Sequence, residues 1–299
     1  MKIRLVVPQI MFAVLLGLAA LSAHAQSTVG LTHAHGLAYS ADGKKLMIPS
    51  HHGLAIYEAG KWSKAPGPEH DYMGFAATRD RLYSSGHPAR GSGLVNPFGV
   101  IRSKDGGKTW EQLGLEGETD FHLLATGWNT NAIYVWNPAP SSRMQRAGLH
   151  YTLNDGLLWR PAAAAGLRGD PHAIAAHPNE ASIIAIATSA GVFLSRDHGE
   201  KFEAVMSDLQ GLGLHFDLDG DHVWISAFDG APRLARVALG AASVEQFVLP
   251  PLTRDAVAYI AQNPVSKDEY AIATFGRNVY LSRDGARNWV RIADRGRGD

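Results

Sequence analysis

The chain has 299 residues, with 28 Lys and Arg against 28 Asp and Glu, and no cysteine. The absence of cysteine excludes disulfides and thiolate metal sites. A formal charge of zero supplies no basic surface, so neither nucleic acid nor an anionic membrane is an expected partner.

The chain opens on a targeting pattern. Lys2 and Arg4 form a basic start, Met11 to Leu21 an apolar core, and Ala23-His24-Ala25 a small-x-small cleavage site. Residues 1–25 are therefore predicted to be a cleaved signal peptide, since the apolar run is too short to span a bilayer comfortably. The expected address is periplasmic or secreted. Cleavage leaves 274 residues with 26 basic groups against 28 acidic ones. Residues 26–299 are predicted to form one domain, long enough to bury an ordinary core.

Beyond residue 33, short β-branched and aromatic runs alternate with turn signals. Six first strands are predicted to begin near His35 (HGLAYS), Met73 (MGFAAT), His122 (HLLATG), His172 (HAIAAH), His215 (HFDLDG) and Ala258 (AYIAQN). Second strands follow at 45–49, 81–85, 132–136, 182–187, 222–227 and 269–274. Third strands run into an eight-residue box, Ser/Thr-x-Asp/Asn-x-Gly-x-x-aromatic. The box occurs at Ser103–Trp110, Thr152–Trp159, Ser195–Phe202 and Ser282–Trp289, in steps of 49, 43 and 87 residues. The last step is close to two repeats, so one unit has lost its box, and Phe247 stands for its aromatic. The unit at 54–66 keeps Tyr57, Gly60 and Trp62 but is shorter than a box.

A strand-rich repeat of this period signals a propeller. Six units of about 46 residues each suit four short strands apiece, whereas seven would leave about 39 each and no seventh first strand. The predicted fold is all-β, a six-bladed β-propeller of four-stranded antiparallel blades. In each box the Ser/Thr and Asp/Asn side chains can replace lost backbone hydrogen bonds, and the aromatic opens the next strand. The boxes resemble the Asp-box, or BNR, repeat of sialidases, sortilin-type receptors and photosystem II assembly-factor propellers. That resemblance implies that the boxes are structural and lie away from the ligand face.

In a four-stranded meander, the first-strand starts and the second-to-third loops share the face opposite the boxes. On that face the alignment gathers His35, Met73, His122, His172 and His215 into one column. His33, Asp71, Asp120 and Asp170 stand two residues before the first four strand starts. Residues two apart on a strand share a face. The loops add His51, His52 and His87, with His70 beside Asp71. Imidazole suits Cu, Zn, Ni and Fe, and a thioether such as Met73 favours Cu(I). The expected function is a transition-metal site at the mouth of the central channel, copper first and zinc second. Its candidate ligands are His33, His35, His51, His52, Met73, His87, His122, His172 and His215. Asp71, Asp120 and Asp170 would orient the imidazoles or act as an alternative acid/base set.

Two other classes stay open. The resemblance raises a sialidase or other glycoside hydrolase. A sialidase needs three arginines, a Tyr nucleophile paired with Glu, and an Asp acid/base; the candidates are Arg90, Arg143, Arg168, Arg254, Arg277, Tyr72, Tyr259, Glu69 and Glu118. No Arg-Ile-Pro tripeptide of the sialidase type occurs. The third class is a protein-docking or assembly propeller, suggested by the Gly/Pro/Ser-rich loops 86–97 and 137–147. The tail Arg295–Asp299 (RGRGD) reads as a solvated end.

Overall fold

A computed structural model describes residues 29–241 and 243–298. The predicted signal peptide lies outside the described residues. No helix among those residues is long and apolar enough to cross a membrane.

The strands form six antiparallel meanders. Blade 1 holds β1 (Ala38–Tyr39), β2 (Lys45–Ser50), β3 (Gly53–Glu58) and β4 (Lys61–Lys64). Blade 2 holds β5 (Asp71–Ala77), β6 (Leu82–His87), β7 (Val100–Ser103) and β8 (Glu111–Gly114). Blade 3 holds β9 (Leu124–Thr126), β10 (Ile133–Asn137), β11 (Gly148–Thr152) and β12 (Arg160–Pro161). Blade 4 holds β13 (Pro171–Ala176), β14 (Ile184–Thr188), β15 (Gly191–Ser195) and β16 (Glu203–Ser207). Blade 5 holds β17 (Gln210–Phe216), β18 (His222–Phe228), β19 (Pro232–Ala238) and β20 (Val244–Phe247). Blade 6 holds β21 (Val257–Gln262), β22 (Tyr270–Thr274), β23 (Val279–Ser282), β24 (Val290–Asp294) and a fifth strand, β25 (Arg297–Gly298). The first strands touch in the order β1, β5, β9, β13, β17, β21 and back to β1. This is a six-bladed β-propeller.

The second strands show why the blades stack. Alternate residues of a strand face opposite sides of its sheet. In β14, Ile184 and Ile186 pack back onto Tyr134 and Leu149 of blade 3. Ala185 and Ala187 pack forward onto Phe216, Val223 and Ile225 of blade 5. Both faces are therefore dry, which explains the near-continuous apolar run. Each interface has its own core, such as Met47, Leu54 and Ile56 against Tyr72, Phe75 and Leu82.

The four boxes form the third-to-fourth-strand turns. In each, the first residue's hydroxyl accepts a backbone N–H four residues on: Ser103 from Gly107 at 2.8 Å, Thr152 from Gly156 at 3.1 Å, Ser195 from Gly199 at 2.8 Å and Ser282 from Ala286 at 3.0 Å. Asp105 Oδ1 accepts the N–H groups of Lys108 and Thr109. The fourth and fifth positions both take positive φ: 75° and 89° at Gly106 and Gly107, and 55° and 78° at Asp155 and Gly156. Ala286 adopts φ 65° with its side chain buried. Side chains at the fourth position pin the turn to the preceding blade. Asp155 accepts the Tyr83 hydroxyl at 2.5 Å and ion pairs with Arg81 and Arg102. His198 takes the equivalent place against the Tyr134 hydroxyl, at 3.0 Å.

Two elements depart from the sequence expectation. The first strand of blade 5 starts at Gln210, earlier than expected, and His215 lies near its far end. His215 pairs with Trp224, in register with Ala38↔Met47, Ala125↔Tyr134 and Ala261↔Ala271. Leu212, not His215, therefore occupies the column position. The Gly211-Leu212-Gly213 run, ahead of the expected strand start, pairs as strand with a bulge, and the neighbouring blade's backbone approaches it closely. A Cβ on Gly213 would collide with the Ala258 carbonyl. The tail is also not a solvated end. Leu31 N–H bonds Gly296 O at 2.7 Å, Gly30 bridges Arg297, and Gly298 N–H reaches Val29 O. Residues 29–31 and 296–298 thereby close the ring, with Gly298 against the Trp62 indole.

Two outcomes test the turn chemistry. Gly199→Ala should cost about 2–3 kcal/mol, because its φ of 89° disfavours a side chain and the new Cβ meets Leu149; Gly106→Ala, with open space around it, should cost only about 1 kcal/mol. Denaturant titration separates them. Hydrogen bonds from the Thr109 hydroxyl and amide hold the pKa of Asp105 at about 2, below the usual carboxylate range. Its contribution is complete above pH ~4 and lost as pH falls through about 2. Asp105→Asn should therefore lower stability at pH 6 and shrink the loss between pH 4 and pH 2.

Candidate metal centre

Three imidazoles converge above blade 1, beside the ring closure. The closing segment 29–31 runs directly into His33 and His35, and His35 N–H is anchored on the Pro49 carbonyl at 3.1 Å. His51 sits in the β2–β3 hairpin. One ligand atom from each of His33, His35 and His51 lies within 4.8 Å of the others. Metal–nitrogen bonds of about 2.0–2.1 Å need a spacing near 3.4 Å, within reach of small side-chain rotations. His33 stacks on His35 with ring centroids 5.5 Å apart, and His51 sets its edge to both.

Asp71 completes the arrangement from the start of β5 in blade 2. Its Oδ1 lies 2.8 Å from His51 Nδ1. With the proton placed on Nδ1, the lone pair of His51 is on Nε2, the tautomer a metal requires. His35 carries the other electronic feature. Its Nε2 is buried with no protein partner among the described residues. Burial first, then the neighbouring His51, lowers its pKa to about 4, so the ring is neutral at ordinary pH. An orphaned, neutral imidazole nitrogen beside two more imidazoles is a donor set that fits an ion.

The remaining column residues take other places. Asp120 bridges His87 and His122, at 2.8 and 3.1 Å. Its hydrogen bond to His122 holds the carboxyl below, and the imidazole above, their usual ranges. The other nitrogen of His87 meets Asn96 Oδ1 at 2.7 Å, so both its ring nitrogens are engaged. His172 Nδ1 donates to Gly211 O at 2.9 Å. His52 is exposed, and so is Asp170, tied to Ser189 through its backbone. His70 is buried, and its Nδ1 accepts from Ala89 N–H. Met73 is buried beneath Gly86, in the bulged start of β5. His215 lies inside the axial channel.

Sequence reasoning missed one further grouping, Asp217, Asp219 and His222, on the box-bearing face. Asp217 there accepts from Trp224 Nε1 and Tyr270 Oη, both at 2.7 Å, which makes it a core anchor. Three of the five arginines raised by the sialidase comparison have local tasks: Arg143 donates to Leu113 and Gly156 carbonyls, Arg168 covers Phe193, and Arg277 reaches Thr32 O. Tyr72 is fully buried and donates to Pro68 O; Glu69 pairs with Lys64, and Glu118 accepts from Ser142.

No family model and no curated protein matches the chain. Among solved structures, the GH74 enzyme of Niastella koreensis superposes with a TM-score of 0.58 at 15% identity, over 89% of this chain and 47% of that one. An ancestral GH74 enzyme gives 0.53 at 12%, over 90% and 40%. The extracellular domain of a hybrid two-component system protein from B. thetaiotaomicron gives 0.52 at 14%, over 91% and 34%. The chain thus spans less than half the length of these proteins, and the likeness is one of fold.

His215 offers a pH signature. Burial lowers its pKa to about 4 from 6.5. The unfolded chain therefore takes up a proton first, so stability is full above pH ~6.5 and falls as pH drops to about 4. His215→Leu should flatten that interval in denaturant midpoints taken at pH 7 and pH 4.5.

Proposed function

We propose that this protein is an exported metal-binding propeller that holds one transition-metal ion through His33, His35 and His51. The observation that carries the reading is the convergence of three imidazoles, one oriented by Asp71 and one with a buried, unpartnered Nε2. Three nitrogen ligands leave room for a further ligand on the ion. Copper remains first and zinc second, for a changed reason: with Met73 buried in the strand, the set is all-nitrogen, and such sites prefer Cu²⁺ to Zn²⁺. A periplasmic address and a role in metal handling belong to this reading.

The carboxylates speak against a glycosidase pair. A glycoside hydrolase needs one carboxyl raised to act as an acid. Asp120 is instead held below its usual range by His122, and Asp170 lies exposed in a loop.

Equilibrium dialysis of tag-free protein with Cu²⁺ and with Zn²⁺ tests the site. One equivalent should bind, and His33→Ala combined with His35→Ala should abolish it. Asp71→Asn should weaken binding about 10- to 100-fold while leaving the fold unchanged, because it removes the group that orients a ligand. Equal metal uptake by wild type and the double variant would sink the proposal.

A further inference from the structure

Below the metal site, the six first strands enclose an axial channel of about 590 Å³. Five residues of first strand separate His35 at the mouth from Ser40 at the far turn, a depth of about 16 Å. Trp128, Pro178 and Leu218, in the turns that follow three first strands, line the lower end. This volume over this depth suits an elongated molecule about one ring wide.

The lining has two properties that together specify a ligand. No Asp, Glu, Lys or Arg is part of it. A charged molecule entering would lose its hydration and meet no counter-charge. The second property is a break in the wall. At one register position around the ring stand Ala38, Ala76, Ala125, Ala175 and Ala261, and in blade 5 the same position is His215. The main-chain N–H of Gln262 donates to His215 Nε2 at 3.2 Å, which places the ring proton on Nδ1. Among the described residues Nδ1 has no protein acceptor, and His215 lines the channel. Five alanines thus make this level of the bore apolar, and at this level His215 alone supplies a donor. A donor in such a wall calls for an acceptor.

We propose that the channel binds an uncharged, elongated, mainly apolar small molecule that presents one oxygen acceptor to His215 Nδ1–H. The site is separate from the metal reading, since its recognition element lies on blade 5, deep in the bore.

Nile red, neutral, elongated and carrying one ring carbonyl, is a suitable probe, titrated by fluorescence in the presence of a chelator. It should bind saturably at one equivalent, and 1-dodecanol should displace it while dodecanoate does not. His215→Ala should weaken binding about tenfold, the loss of one buried hydrogen bond. Ala125→Leu and Ala175→Leu, each checked for folding by thermal melt, should narrow the bore and weaken binding more than that. His33→Ala should bind the dye as the wild type does, so failure of the metal reading leaves this one standing. Three results would overturn it: no saturable binding, displacement by dodecanoate as strong as by dodecanol, or His215→Ala and a folded leucine variant that bind as the wild type does.

Discussion

A propeller is a ring, and everything on its axis depends on how the ring closes. Here the closure is a short backbone clasp: Val29 to Leu31 pair with Gly296 to Gly298, at the edge of blade 6. Both partners are brief, yet the clasp is buried. Val29 and Leu31 join the core between blades 6 and 1, and Trp62 donates its indole N–H to Ile292 O across that interface at 2.7 Å. Apolar burial supplies the driving force, and the hydrogen bonds set the register.

The clasp also has a chemical consequence. Closing segment and imidazole cluster are one continuous stretch of chain, with Leu31 and His33 two residues apart. His51 comes from the next hairpin, and Asp71 from the start of blade 2. The three imidazoles belong to blade 1 and its leading segment, which the two neighbouring blades pack against.

On the opposite face, the four boxes do scaffolding work. Their hydroxyl, carboxyl and amide side chains replace the backbone bonds that a tight turn forfeits, and in two of them the fourth residue reaches back to the preceding blade. Asp155 and His198 meet Tyr83 and Tyr134 in this way, from equivalent places. Turn and blade packing are thus set together, which leaves the other face free to carry chemistry.

The fold was legible in the sequence because its causes are local. A turn needing a hydroxyl, an acceptor and two positive φ values writes itself into eight residues, and period-two burial writes itself into each strand. The box positions and the second strands, for example 45–49 against β2 (Lys45–Ser50), could be read for that reason. The site was legible only as an enrichment of His on one face. Which imidazoles meet depends on how the leading segment, the β2–β3 hairpin and the bulges fold against one another, and no local residue pattern encodes those contacts. Hence His33, His35 and His51 converge, while His87 and His122 share Asp120 and Met73 turns inward. His215 shows the limit most plainly. In sequence it opens a strand, but the close approach of Ala258 recruits Gly211 and Gly213 into β17 and sends the ring down the bore. The sequence by itself determined six blades and their orientation, because turn chemistry and side-chain alternation are properties of neighbouring residues. Tertiary structure alone decided which imidazoles meet and which ring nitrogen faces the channel, because the first depends on how one hairpin folds over its leading segment and the second on the approach of the neighbouring blade.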